Sequence, residues 1–99
     1  MTTPPTSFED RDGHIWMNGA LVPWRTAKLH VFSHVLHYGS AVFEGERAYS
    51  GKVFKLEEHT DRLFKSAEIM EMKIPFTPAQ LNAATNETLR ANNITDGYI

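Results

Sequence analysis

The tightest constraint on this chain is a change of hydrophobic period at Leu56. Upstream, Val42-Phe43-Glu44-Gly45-Glu46-Arg47-Ala48-Tyr49 alternates, Ser50-Gly51 offers a turn, and Lys52-Val53-Phe54-Lys55-Leu56 resumes, the pattern of a β-hairpin. Downstream, from Glu57 to about Met72, Leu63, Ala67 and Met70 join Leu56 on one helical stripe with Thr60, flanked by Phe64. Leu63, Phe64, Ala67, Ile69 and Met70 read as packing residues. A chain that first repeats every second residue and then about every 3.6 must set a helix against a sheet. The expected class is α+β, an antiparallel sheet with two main helices gathered against it.

Local chemistry places the other elements. Asn18-Gly19 between His14-Ile15-Trp16 and Leu21-Val22-Pro23-Trp24 is the pair that two-residue hairpin turns favour, and Pro23 confines its strand to an edge. Lys28 to Phe32 is rich in strand formers and expected to be extended, with Ser33 opening a short helix that ends before Gly39. Ile74-Pro75-Phe76 breaks the long helix, and Thr77-Pro78-Ala79-Gln80 starts another with a capping box and a proline at its first position. Leu81, Ala84, Thr88 and Leu89 form the apolar face of that helix, Asn92-Asn93 ends it, and Tyr98-Ile99 reads as the start of a strand. Residues 1–13, small, polar and Pro-rich, are expected to be a flexible tail, and 14–99 one small domain, incomplete at its C-terminal end.

Composition excludes several functions. With 99 residues the chain holds one modest core, and without cysteine it has no thiolate metal site and no thiol nucleophile. A net charge of −2 with dispersed lysines and arginines argues against nucleic acid, and no apolar run is long enough to span a bilayer. A cytoplasmic protein is the default expectation. Glycine-rich phosphate loops, HExxH and GxSxG are all absent.

Two features invite chemistry. His30, His34 and His37 would lie within about 60° of one another on a continuous helix, close enough to share a metal ion. The break expected at Ser33 separates them, so capping and packing are the expected roles and no metal is expected. On the strand, Phe43, Gly45, Arg47 and Tyr49 share a face, with Gly45 leaving room for a close approach and Arg47 offering a fork to a carboxylate. That face is also compatible with a solvent-facing strand. Arg62 is open to two readings, an i,i+4 ion pair with Glu58 or a clamp for an anion or phosphate.

The combination HVxSHxLHYGxxVFEGxRxY, FKLxEHxxRLxxSAxIMxMxIP and NNxTxxYI, in that order from about Ile15 to Ile99, resembles the N-terminal part of branched-chain amino acid aminotransferases, fold type IV enzymes of pyridoxal 5'-phosphate. The resemblance implies the small N-terminal domain of such an enzyme, a large domain carrying the cofactor-binding lysine beyond Ile99, and a homodimer or higher homo-oligomer. It implies that Arg62 binds the cofactor phosphate, that Phe43, Gly45 and Arg47 line the substrate pocket, that Tyr38 reaches into a neighbouring subunit's pocket, and that Tyr98 lies near the substrate carboxylate. It places no catalytic residue within these 99. Glu46 stands where many relatives carry an apolar residue.

The reaction implied moves an amino group between leucine, isoleucine or valine and 2-oxoglutarate. A D-amino acid aminotransferase or aminodeoxychorismate lyase of the same fold is the nearest alternative, and a non-enzymatic stand-alone module is the alternative from another class.

Overall fold

The computed structural model of this chain describes residues 8–99. Strands β1 (His14–Met17) and β2 (Ala20–Pro23) form the expected hairpin, with Trp16 opposite Leu21. Asn18 and Gly19 both take positive φ, 54° and 101°, as a type I′ turn requires. Pro23 pairs with His14 at the end of the ladder, where its missing N–H interrupts nothing.

Of the expected tail, residues 1–7 lie outside the described residues, and residues 8–13 are anchored. The Trp24 indole donates to the Phe8 carbonyl at 2.6 Å, and Arg25 donates to Asp10 at 2.9 Å and to Asp12 at 2.7 Å. The Gly13 carbonyl also accepts from the Trp24 amide at 2.9 Å. Polar composition alone pointed to mobility; the donors on Trp24 and Arg25 supply the tether.

The segment Lys28 to Phe32, expected to be extended, is irregular and exposed. Local bonds take the place of a ladder: the Ser33 amide donates to the His30 carbonyl at 2.9 Å, and the Phe32 amide donates to His30 Nδ1 at 3.1 Å. Helix α1 (His34–His37) follows directly, with Ser33 at its N-cap.

Strand β3 (Arg47–Tyr49) is the middle strand of a three-stranded antiparallel sheet, with β4 (Lys52–Val53) on one side and β5 (Gly97–Tyr98) on the other. Ser50 and Gly51 form the β3–β4 turn with φ of 51° and 80°. Regular pairing covers less of Val42–Tyr49 than the alternation suggests, although Glu46 and Ile99 extend the ladder by exchanging two hydrogen bonds of 2.8 Å. The antiparallel strands thus divide into two small sheets where one was expected, the β1–β2 hairpin being joined to the rest through side chains such as Asn92 and not through a further strand.

Lys55, at φ 54°, turns the chain from β4 straight into α2 (Leu56–Ile69). Helix α3 (Pro78–Ala91) begins with the expected capping box: Thr77 Oγ1 accepts from the Gln80 amide at 3.1 Å, and Gln80 Oε1 accepts from the Thr77 amide at 2.8 Å. Both helices end on a left-handed residue, Glu71 and Asn93, followed by an amide that reaches back to the helix, Met72 to Ala67 and Ile94 to Leu89. The two helices pack on each other, each with a buried alanine, Ala67 and Ala84, and the buried Thr60 hydroxyl of α2 donates to Asn82 Oδ1 of α3.

Ile69 and Met70 do not pack as expected. Ile69 is 78% exposed because it follows buried Ala67 by two residues, about 200° around the helix, and Met70 stands beyond the last turn.

Asn92 joins α3 to the hairpin as a strand would. Its Oδ1 accepts from the His14 amide at 2.8 Å, and its Nδ2 donates to the His14 carbonyl at 2.9 Å. Asn92→Ala removes both bonds together with the Nδ2 bond to the Thr88 carbonyl. It is expected to lower stability by roughly 1–3 kcal/mol, measured by denaturant unfolding; a change below a few tenths of a kcal/mol would show that the bridge contributes nothing.

Candidate functional site

The register of β3 against β5 sets Tyr98 beside Arg47. One step along the same face, the Tyr98 ring covers Gly45: a Cβ at that position would lie 3.1 Å from ring atoms Cε2 and Cζ and closer still to the hydroxyl oxygen. A side chain at position 45 would therefore have to displace the exposed Tyr98 ring, with no demand on φ. The Arg47 guanidinium lies over the Tyr49 ring, 5.9 Å from its centre, and makes no ion pair among the described residues. Phe43, two residues before Gly45, is 84% exposed.

Gly45, Arg47 and Tyr98 thus converge, with Phe43 and Tyr49 as apolar neighbours. One cation and two phenols beside aromatic rings make a surface suited to a small molecule that has a carboxylate and an apolar part.

Two other candidates stand elsewhere. Tyr38, at the end of α1, is 79% exposed, its ring edge-on to His34 with centres 5.7 Å apart. Arg62 lies on α2 and engages the opposite side of the strand through Glu44. The histidines are spread along the 30–38 segment, with Phe32 stacked between His30 and His37 at 5.7 and 5.8 Å. Among the described residues, no three histidine or carboxylate side chains are placed to hold a metal ion.

The inner face of the strand holds a charged cluster that reading along the helix did not reveal. Arg62 does not pair with Glu58, whose neighbour is Lys55 at 3.9 Å. It donates through Nε to Glu44 Oε2 at 2.7 Å and through Nη2 to Glu44 Oε1 at 2.6 Å. His59 Nδ1 donates to the same Oε1 at 2.6 Å. Hydrogen bonds from Arg62 and then His59 hold the Glu44 carboxyl down at about 2. The pattern was available in principle: His59 and Arg62 are three apart on α2, and Glu44 alternates away from Phe43 and Gly45.

Glu46 shares the inner face without a partner. Its Oε1 is buried with no hydrogen bond, beside a cavity of about 630 Å³ that Thr60 and Leu63 also line. Burial pushes this carboxyl above its ordinary range, further helped by the Glu44 charge and opposed by His59.

The family description amino-transferase class IV matches residues 41–99. Over 97 residues the chain is 52% identical to the branched-chain-amino-acid aminotransferase of Pseudomonas aeruginosa, covering 94% of this chain and 32% of that protein. It is similar to the solved T.th. branched-chain amino acid aminotransferase with pyridoxamine 5'-phosphate, at 47% identity and a TM-score of 0.84, covering 89% of this chain and 30% of that one. It is also similar to the branched-chain aminotransferase of the thermophilic archaeon Thermoproteus uzoniensis with norvaline, at 41% identity and a TM-score of 0.83, covering 89% of this chain and 31% of that one. The chain spans about a third of the length of the curated relatives it matches.

The two carboxyls give opposite pH dependences. Glu44, lowered in the fold, contributes stability that is present above its ordinary 4.5 and lost as pH falls toward about 2. Glu46, raised in the fold, does the reverse: its charge weakens the fold as pH rises above 4.5. Glu46→Gln should therefore match the unsubstituted protein in acid and gain on it toward neutral pH, whereas Glu44→Gln should flatten the acid limb. Unfolding curves collected from pH 2 to 7 check both slopes; a Glu46→Gln advantage that shrinks as pH rises would refute the assignment.

Proposed function

Because this chain belongs to the amino-transferase class IV family, we propose that it is the N-terminal portion of a branched-chain amino acid aminotransferase that uses pyridoxal 5'-phosphate, acting as a homodimer or higher homo-oligomer in the cytoplasm. The donors are leucine, isoleucine and valine, and the acceptor is 2-oxoglutarate. The observation that carries this reading is the convergence of Gly45, Arg47 and Tyr98 on one sheet face in a chain 52% identical to a branched-chain-amino-acid aminotransferase. The solved relatives with pyridoxamine 5'-phosphate and with norvaline support the cofactor and the substrate class.

The chemistry of the residues fits such a cofactor. Arg62 is two-thirds exposed and keeps its Nη1 side free of partners among the described residues, so a planar edge remains for phosphate oxygens. Bound pyridoxal phosphate supplies the electron sink for bond breaking at the amino acid's α-carbon. Arg47 and the Tyr98 hydroxyl offer a cation and a hydrogen bond to a carboxylate on the open sheet face, and Phe43 borders the apolar part of the substrate. Gly45 keeps the Tyr98 ring close to the strand. Tyr38 is the residue that would reach a neighbouring copy; its exposure among the exposed apolar residues Leu29, Val31, Phe32 and Leu36 supports that role. Among the described residues no helix is long and apolar enough to cross a membrane.

The full-length protein that carries this chain should form glutamate from 2-oxoglutarate with leucine, isoleucine and valine. Arg47→Ala should raise KM for 2-oxoglutarate by about tenfold and KM for leucine less, since only the acceptor brings a second carboxylate. Activity on D-alanine without activity on leucine would overturn the reading.

A further inference from the structure

The Glu44 side chain is 6% exposed, and three donors converge on it, yet Arg62, which supplies two of them, is 66% exposed. A guanidinium has two planar edges that can grip an oxyanion. Here the Nε/Nη2 edge is taken by Glu44, and Nη1 has no partner among the described residues on a side chain that is two-thirds exposed. His59 holds the carboxylate from the other side through Oε1. Strand and helix thus fix the arginine by its back edge and leave its front edge presented.

We infer that Glu44 is a positioning residue for phosphate recognition: it pre-orders Arg62 so that the Nη1/Nη2 edge meets the phosphate of the cofactor, and His59 keeps Glu44 in place. This rests on reading Arg62 as the phosphate arginine. A free arginine gives up its rotamer freedom when an anion arrives; one already held by Glu44 has given it up on folding. The carboxylate also cancels positive charge beside the anion, which works against binding. The two effects oppose each other in sign, so measurement separates them.

The test titrates the full-length apoprotein and its variants with pyridoxal phosphate and with pyridoxal, by absorbance, and compares the two dissociation constants. Pyridoxal lacks the phosphate, so the ratio reports the phosphate contribution and is insensitive to general loosening of the site. Glu44→Ala should cut that ratio by about tenfold while pyridoxal binding changes little. Glu44→Gln, which keeps the shape and one acceptor oxygen, should recover part of the loss. It also serves as the readout if Glu44→Ala fails to fold by circular dichroism. An unchanged or increased ratio in both Glu44 variants, alongside a reduced ratio in Arg62→Ala, overturns the inference and leaves Arg62 as the phosphate arginine. An unchanged ratio in Arg62→Ala overturns both.

Discussion

Backbone hydrogen bonds pass from Glu46 to Ile99 and back, each 2.8 Å, closing the chain on itself around both long helices. Without that ladder, β3 would have only the two-residue strand β4 as a neighbour, and an isolated short hairpin is marginal in water. With it, Ala48 becomes the centre of a three-stranded sheet with no exposed surface, and Tyr98 is delivered beside Arg47. The same pairing sets the two faces of the strand apart. Gly45 and Arg47 look outward with Tyr98, while Glu44 turns toward His59 and Arg62 on α2 and Glu46 toward the cavity.

Much of the cohesion is polar. Among the described residues the buried apolar side chains are Ala48, Ala67, Ala84 and Leu89, all but one of them alanine. A flat molecule measuring 49 × 36 × 19 Å has little interior to fill. Discrete polar tethers join the segments: Asn92 to the His14 backbone, Thr60 to Asn82, Arg25 to two aspartates, and Glu44 to α2. Large apolar side chains such as Phe32, Phe43 and Ile69 remain exposed.

What was legible in the sequence was local. Asn18-Gly19 and Ser50-Gly51 name their turns through the φ values they tolerate, and Thr77-Pro78 with Gln80 names the start of α3. The switch of period at Leu56 marks the first residue of α2. The outward grouping of Gly45 and Arg47 followed from alternation, whereas the closeness of Tyr98 depends on a register that only the fold sets. The partner of Arg62 was missed for a similar reason. Helical spacing offers Glu58, but Glu44 lies 18 residues away and arrives through the hairpin. The anchoring of residues 8–13 by Trp24 and Arg25 is likewise a contact between segments that no local pattern encodes.

The closeness of Tyr98 to Gly45 has a consequence for how such a sequence can drift. Even a single methyl at position 45 would claim space held by the tyrosine ring, and a smaller ring substituent at 98 would open space that the glycine leaves unfilled. Gly45 lies in the middle of the chain and Tyr98 one residue from Ile99, yet the two occupy one shared volume. A side chain at 45 would have to swing the tyrosine ring off the strand, so the cost of a change at one position is set by the side chain at the other.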